Sequence, residues 1–257
     1  MNLFAVQLDI AWEDKTANFS RAKALVAAVN PPAQSLIVFP EMFSTGFSMN
    51  LEITRQDERR EGEVFLAQLA IERRCFVTGG VVNNGANGMA RNESVTFSPE
   101  GNLAARYAKI HPSCLGGEGE KHERGVEITS FPCNGFTVAP FVCYDLRFPE
   151  IFRAAARRGA NLFVVIALWP VKRQHHWLTL LQARAIENQA YVVGVNRVGE
   201  EPSLTYAGRS VVVDPHGIII ADAGSQERVL SASIDLNIVR TWREEFPALR
   251  DMHWQDR

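Results

Sequence analysis

The sequence predicts an α/β domain built around a mixed sheet that is covered on both faces. Three observations carry this expectation. Short apolar, β-rich runs recur along the chain; amphipathic helical patterns fall between several of them; and two pairs of runs are joined by short linkers with Pro and Gly in turn-forming positions. Strands that are apolar without alternation suit a sheet that meets water on neither side.

The runs are Leu3 to Leu8, Ser35 to Phe39, Phe76 to Val82, Phe136 to Cys143, Leu162 to Ala167 and Tyr191 to Val195. After the first, Phe19, Ala22, Leu25, Val26 and Val29 follow helical spacing, and Val64 to Ile71 offers a second helical face. A third helix is expected from Pro149, because proline suits a first helical turn and the following IFRAAARRGAN ends on a glycine stop. A fourth covers about Gln174 to Asn188. Ser94 to Phe97 with Leu103 to Tyr107, around SPEG, and Ser210 to Val213 with Ile218 to Ala221, around DPHG, read as antiparallel hairpins. Parallel and antiparallel signals together make the sheet mixed. No internal repeat or low-complexity tract stands out, and the one irregular stretch is SCLGGEGEKHERG, Ser113 to Gly125. Long polar loops in compact domains are often functional.

With 257 residues, 46% of them hydrophobic, the chain suits one large domain, 1–257, better than two. A formal charge of -2 with interspersed signs gives no phosphate-tracking patch, so no nucleic-acid partner is expected. The first fourteen residues show no export signal, and the longest apolar stretches, such as Leu162 to Trp169, are too short to span a bilayer. A cytoplasmic protein with no membrane partner is expected, and Cys75, Cys114, Cys133 and Cys143 then read as free thiols.

Cys143 ends the apolar run FTVAPFVC just before YDLRFPE leads into a helix, the strand-to-turn-to-helix placement that exposes a nucleophile at a sheet's carboxyl end. A buried structural cysteine is the alternative. Glu41 closes the run SLIVFP, where a partly buried carboxylate makes a useful base, although an acid at a helix N-terminus fits as well. Lys109, after the second arm of the first hairpin, is less telling alone. Together the three supply what attack on an amide carbon needs: a thiol, a group to take its proton, and a cation for the oxyanion.

In this order FPEMF (39–43), YAKIHP (107–112) and FVCYDLRFPE (141–150) resemble the Glu, Lys and Cys motifs of the nitrilase superfamily of carbon–nitrogen hydrolases. The similarity continues through AVQLDIAWED near the start, LWP at Leu168 to Pro170, and ARAIENQAYVVGVNRVG from Ala183 to Gly199. The resemblance implies a four-layer αββα sandwich with mixed sheets and a homodimer or higher homo-oligomer, with the segment from about 236 to 257 extending onto a partner subunit. It also implies that Glu41, Lys109 and Cys143 converge, and that a second glutamate on the loop after the lysine braces them. Matching GGEGEKHERG to that loop gives Glu118, with Glu120 the weaker choice. Tyr144, Arg147 and Trp169 are expected to bind substrate, Tyr144 through its N–H on the oxyanion.

Ala108, Leu168 and His122 depart from the residues common at those positions, Arg, Asn and Tyr. They touch substrate identity rather than reaction type. CYDLRFP resembles amidase branches more than true nitrilases, most of all the omega-amidases that deamidate 2-oxoglutaramate and 2-oxosuccinamate. Such substrates carry a carboxylate, for which Arg147, Lys172 and Arg173 are the candidate partners. Another amidase of the superfamily, for deaminated glutathione or a carbamoyl amine, and a non-catalytic scaffold remain as alternatives. No cofactor is expected. His111, Cys114, His122 and Cys133 match no standard zinc spacing, His175 and His176 point to different sides of a helix, and Gly79-Gly80 and Gly116-Gly117 make no phosphate loop.

Overall fold

The computed structural model describes residues 1–253. In chain order the strands are β1 (Asn2–Gln7), β2 (Leu36–Val38), β3 (Phe76–Asn84), β4 (Ala90–Phe97), β5 (Leu103–Ala108), β6 (Phe131–Cys133), β7 (Phe136–Val142), β8 (Leu162–Ala167), β9 (Tyr191–Asn196), β10 (Val198–Glu201), β11 (Leu204–Ala207), β12 (Val211–Val213), β13 (Ile219–Asp222) and β14 (Arg228–Ser233). The helices are α1 (Lys15–Val29), α2 (Leu51–Thr54), α3 (Glu61–Arg73), α4 (Glu118–Lys121), α5 (Pro149–Arg157), α6 (Gln174–Asn188) and α7 (Leu236–Glu245). Not one helix among the described residues is long and apolar enough to cross a membrane.

The strands form two six-stranded sheets, β14-β1-β2-β3-β4-β5 and β13-β12-β9-β8-β7-β6, with β10-β11 as a separate hairpin. Where the residue patterns alone gave one mixed sheet, there are two, stacked as the inner layers of an αββα sandwich. Alternation along the first sheet explains the stacking. Leu3, Ala5, Leu36 and Val38 enter the core shared with β7, β8 and β9, whereas Phe4, Val6 and Ile37 pack on Ala22 and Val26 of α1 and on Leu66 and Leu69 of α3. On the far side of the second sheet, Phe152 of α5 and Trp177 and Leu181 of α6 close the fourth layer.

The two sheets share one pairing plan. From β14 to β5 the pairs run antiparallel, parallel, parallel, antiparallel, antiparallel, and from β6 through β7, β8, β9 and β12 to β13 they run the same way. The repeat is topological and leaves no trace in the residues. In both sheets the carboxyl ends of the parallel strands face the same end of the sandwich, where ligands of open α/β sheets collect.

Several elements escaped the sequence reading. β14 (RVLSAS) is a half-exposed edge strand, and the β10-β11 hairpin is largely polar, so neither presents an apolar run. α7 docks on its own chain: Val239 is buried, and the Arg243 guanidinium donates to the carbonyls of Ala160, Asn188 and Gln189. Of the segment expected to reach a partner, residues 254–257 lie outside the described residues.

Candidate active site

Each arm of the site is delivered by a strand end. Glu41 follows β2 by three residues, Lys109 directly follows β5, and Cys143 directly follows β7. Glu118 begins the one-turn helix α4, inside the stretch that reads as irregular in the sequence. Glu120, the weaker candidate, is exposed.

Close backbone contact seats Glu41. A Cβ at Gly80 would lie 2.5 Å from Met42 N and 2.6 Å from Glu41 Cα, so only glycine lets β3 approach this turn. Cys143 itself has φ of 48°, an unusual value for a non-glycine residue and a mark of a forced elbow. Asp145, fully buried, holds the elbow to the lysine strand. Its carboxylate accepts from Tyr107 Oη at 2.8 Å, from His111 N at 2.9 Å and from Val142 N at 3.2 Å.

Among these side chains the structure builds one polar cluster. Lys109 Nζ donates to Glu41 Oε1 at 2.9 Å and to both oxygens of Glu118 at 2.8 Å. All three residues are at most 1% exposed. The Leu168 N–H donates to Glu41 Oε2 at 2.9 Å, and Cys143 Sγ lies 3.9 Å from the Leu168 carbonyl oxygen. The Ser113 N–H donates to Glu118 Oε2 at 2.7 Å. Asn92 Nδ2 donates to Glu41 Oε1 at 2.7 Å and to Glu118 Oε1 at 2.8 Å.

The charges explain the protonation states. Burial lowers the proton affinity of Lys109, but Glu118 and then Glu41 hold it well above the ordinary lysine value. Burial pushes Glu118 up, and the charge and hydrogen bonds of Lys109, with those from Ser113 and Asn92, bring it below the ordinary carboxylate value. The Cys143 thiol is pushed well above the usual cysteine value, first by burial and then by the Glu41 charge, against the pull of Lys109. At rest the sulfur therefore keeps its proton.

A cavity of about 360 Å³ opens over Cys143 and Lys109. Tyr144, Arg147 and Trp169 line it, as does Arg173, whereas Lys172 is not on its wall. Arg147 lies with its guanidinium carbon 4.8 Å from the Trp169 ring centre. The β10-β11 hairpin supplies Glu201, which burial first of all keeps above the ordinary carboxylate value, and Leu204.

The residues weighed as zinc ligands are dispersed. His111 Nδ1 meets Asp145, Cys133 is buried beside Met1, Cys114 is exposed, and the buried ring of His122 has no hydrogen-bond partner among the described residues. His176 meets the Arg147 guanidinium at 3.3 Å. Asn92 and Asp145 are the residues that the sequence reading missed. Asp145 lies inside the cysteine motif, whereas an amide within the strand ARNESVTF gives Asn92 no local signal.

Comparison with known proteins shows the family. The carbon-nitrogen hydrolase family model matches residues 4–244. An omega-amidase of Yersinia enterocolitica is 36% identical over 98% of this chain and 96% of its own length. A 2-oxoglutaramate amidase of Bacillus subtilis is 32% identical over 96% and 95%. A CN-hydrolase superfamily protein of Xanthomonas campestris, whose crystal structure carries an arsenic adduct in the active site, superposes with a TM-score of 0.93 at 32% identity over 100% of this chain and 98% of its own. From the strand ends that carry Glu41, Lys109 and Cys143 to a match spanning nearly every described element, the chain belongs to the carbon-nitrogen hydrolase family.

Proposed function

We propose that the protein is a cysteine-dependent amidohydrolase that cleaves the ω-amide of short 2-oxo dicarboxylic acids, 2-oxoglutaramate and 2-oxosuccinamate, to the carboxylate and ammonia. The observation that carries this reading is the buried Glu41–Lys109–Glu118 cluster beside the one thiol that opens on the cavity.

Glu41 takes the Cys143 proton as sulfur attacks the amide carbon, which suits a thiol that is protonated at rest. Lys109 has three N–H bonds; with one on Glu41 and one shared between the Glu118 oxygens, the third serves the oxyanion together with the Tyr144 N–H. Glu41 returns the proton to the departing nitrogen, ammonia leaves, and a thioester remains. A water that loses its proton to Glu41 then hydrolyses the thioester and frees the thiol. Every step is assigned to a side chain or main-chain group of this chain.

The substrate class follows from the walls. A cavity near 360 Å³ is at the small end for ligand sites and suits a five-carbon amide better than a deaminated tripeptide. Arg147 and Arg173 offer cations to a substrate carboxylate. The names of the two relatives, omega-amidase and 2-oxoglutaramate amidase, point the same way. We further propose one cytoplasmic domain that pairs as a homodimer; Ile186 and Ile218, 55% and 60% exposed, are among the exposed apolar side chains available for pairing. Sedimentation of the purified protein checks the assembly.

The deciding experiment is ammonia release from 2-oxoglutaramate, 2-oxosuccinamate, deaminated glutathione, a carbamoyl amine and a nitrile. The short 2-oxo amides should give the highest kcat/KM, by about tenfold or more. Preference for deaminated glutathione or a carbamoyl amine would move the protein to another branch, and no turnover of any would favour a scaffold.

A further inference from the structure

Asn92 has no part in the cycle above, yet it contacts Glu41, Glu118 and Lys109. It lies in β4 and is 1% exposed. Its carbonyl accepts from Lys109 N at 2.9 Å. Its Nδ2 reaches Glu41 Oε1 at 2.7 Å and Glu118 Oε1 at 2.8 Å, the same two oxygens that Lys109 Nζ reaches at 2.9 and 2.8 Å. The two carboxylates are thus bridged twice, once by a cation and once by a neutral amide.

The chemistry fixes the amide's orientation. Reversed, it would set Oδ1 against two carboxylate oxygens. As it stands, both N–H bonds are used and Oδ1 has no partner among the described residues. Leaving that carbonyl unpaired is a cost that the two donated hydrogen bonds offset.

We infer that Asn92 is a positioning residue for the reaction: it holds Glu41 aimed, with Oε1 braced so that Oε2, set by the Leu168 N–H, serves the thiol. Two buried acids on one ammonium leave the cluster with a net negative charge. A second cation would cancel the charge that draws the thiol proton, whereas a neutral double donor stabilises both carboxylates and leaves that charge in place. Asn92 is absent from the cavity wall, so it acts through Glu41 and not on the substrate. The inference rests on Glu41 being the base.

The charged and titratable groups around Glu41 are Lys109, Glu118, Cys143 and Glu201, and the test leaves all of them in place. Asn92→Leu keeps approximate volume and removes both donors; Asn92→Ser keeps one; Asn92→Asp keeps the shape and adds a third acid. Ammonia release is measured for each from pH 5 to 9. Losing a donor to an ionised carboxylate makes it hold its proton more tightly. The acidic limb of kcat/KM should therefore move up by about one pH unit in Asn92→Leu, less in Asn92→Ser and more in Asn92→Asp. At neutral pH kcat should fall by about tenfold or more, with KM within about threefold of wild type. If Asn92→Leu does not fold, Asn92→Ser carries the test with a shift of the same sign. A purely structural role would lower activity in proportion to folded protein and leave the limb unmoved, and that result, or a loss confined to KM, overturns the inference. Turnover that survives Cys143→Ala would overturn the cysteine reading itself, and this inference with it; an unmoved limb in a Cys143-dependent enzyme removes only the role of Asn92.

Discussion

Lys109→Met removes the one cation between two buried carboxylates while keeping the approximate length of the side chain. At 2.8 to 2.9 Å each contact is worth about 6 kcal/mol gross by Coulomb's law at an effective dielectric near 20. Most of that offsets desolvation, and deleting one partner of a buried pair costs about 3–5 kcal/mol net. For a chain of this size the melting temperature should fall by roughly 10 °C at neutral pH. The deficit should depend on pH in a definite direction. In the wild type, Glu118 is held below its ordinary value by Lys109, so its contribution is present above the ordinary carboxylate range and is lost as pH falls through the folded value. In the variant the two acids face each other without a counter-charge and bind protons more tightly folded than unfolded. The variant should therefore be least stable at pH 8 and approach wild type toward pH 5. Turnover should suffer separately: kcat should fall by about a hundredfold or more, as for a lost oxyanion donor, with KM changing less. The Cys143 thiol loses the cation that opposes its upward shift, so iodoacetamide should label it more slowly, measured with Cys114→Ser because Cys114 is exposed. Adding Glu118→Gln should recover stability and leave kcat low. Thermal melts at pH 5, 6.5 and 8, ammonia release and alkylation rates are the assays. A melting deficit that is constant or grows toward pH 5 would refute the electrostatic reasoning, and a strong rise in KM with kcat near wild type would make Lys109 a substrate-carboxylate binder.

Cys143→Ala should abolish ammonia release and melt within a few degrees of wild type, since only one small side chain changes; turnover within about tenfold of wild type would end the cysteine mechanism. Gly80→Ala should push the Glu41 turn out of place, because the new Cβ would meet backbone at 2.5 and 2.6 Å; we expect kcat to drop by about tenfold or more and stability by about 1–3 kcal/mol, and unchanged kinetics would show that the turn yields freely. His122, buried beside Glu118, Lys109 and Arg55, is held below its ordinary 6.5 by burial first of all, so the unfolded chain takes up a proton that the folded ring does not. Stability should therefore fall as pH drops below about 6.5, and His122→Phe should flatten that part of the melting curve. Parallel wild-type and variant curves between pH 7 and 5 would dispose of the idea.

The local pieces are legible in the residues: α6 at Gln174 to Asn188, β8 at Leu162 to Ala167, the proline that opens α5, and both hairpins. Periodicity and turn chemistry act over a few residues, so they can be read without the fold. The chemical types at Glu41 and Cys143 were legible too, because each follows an apolar run, whereas Lys109 drew its meaning from the resemblance of its motif. What the tertiary structure alone decided is everything that depends on two distant segments meeting. That the sheet is two sheets with one pairing plan rests on which faces bury each other. The inward turn of Glu118, which the resemblance already favoured over Glu120, rests on a one-turn helix in a loop without periodicity. Lys172 is off the cavity wall and Arg173 on it, although they are adjacent in the chain. Asn92 is the clearest case: an amide in a strand has no local signature, and its function exists only where Glu41, 51 residues before it, and Glu118, 26 residues after it, bring their oxygens to the same nitrogen.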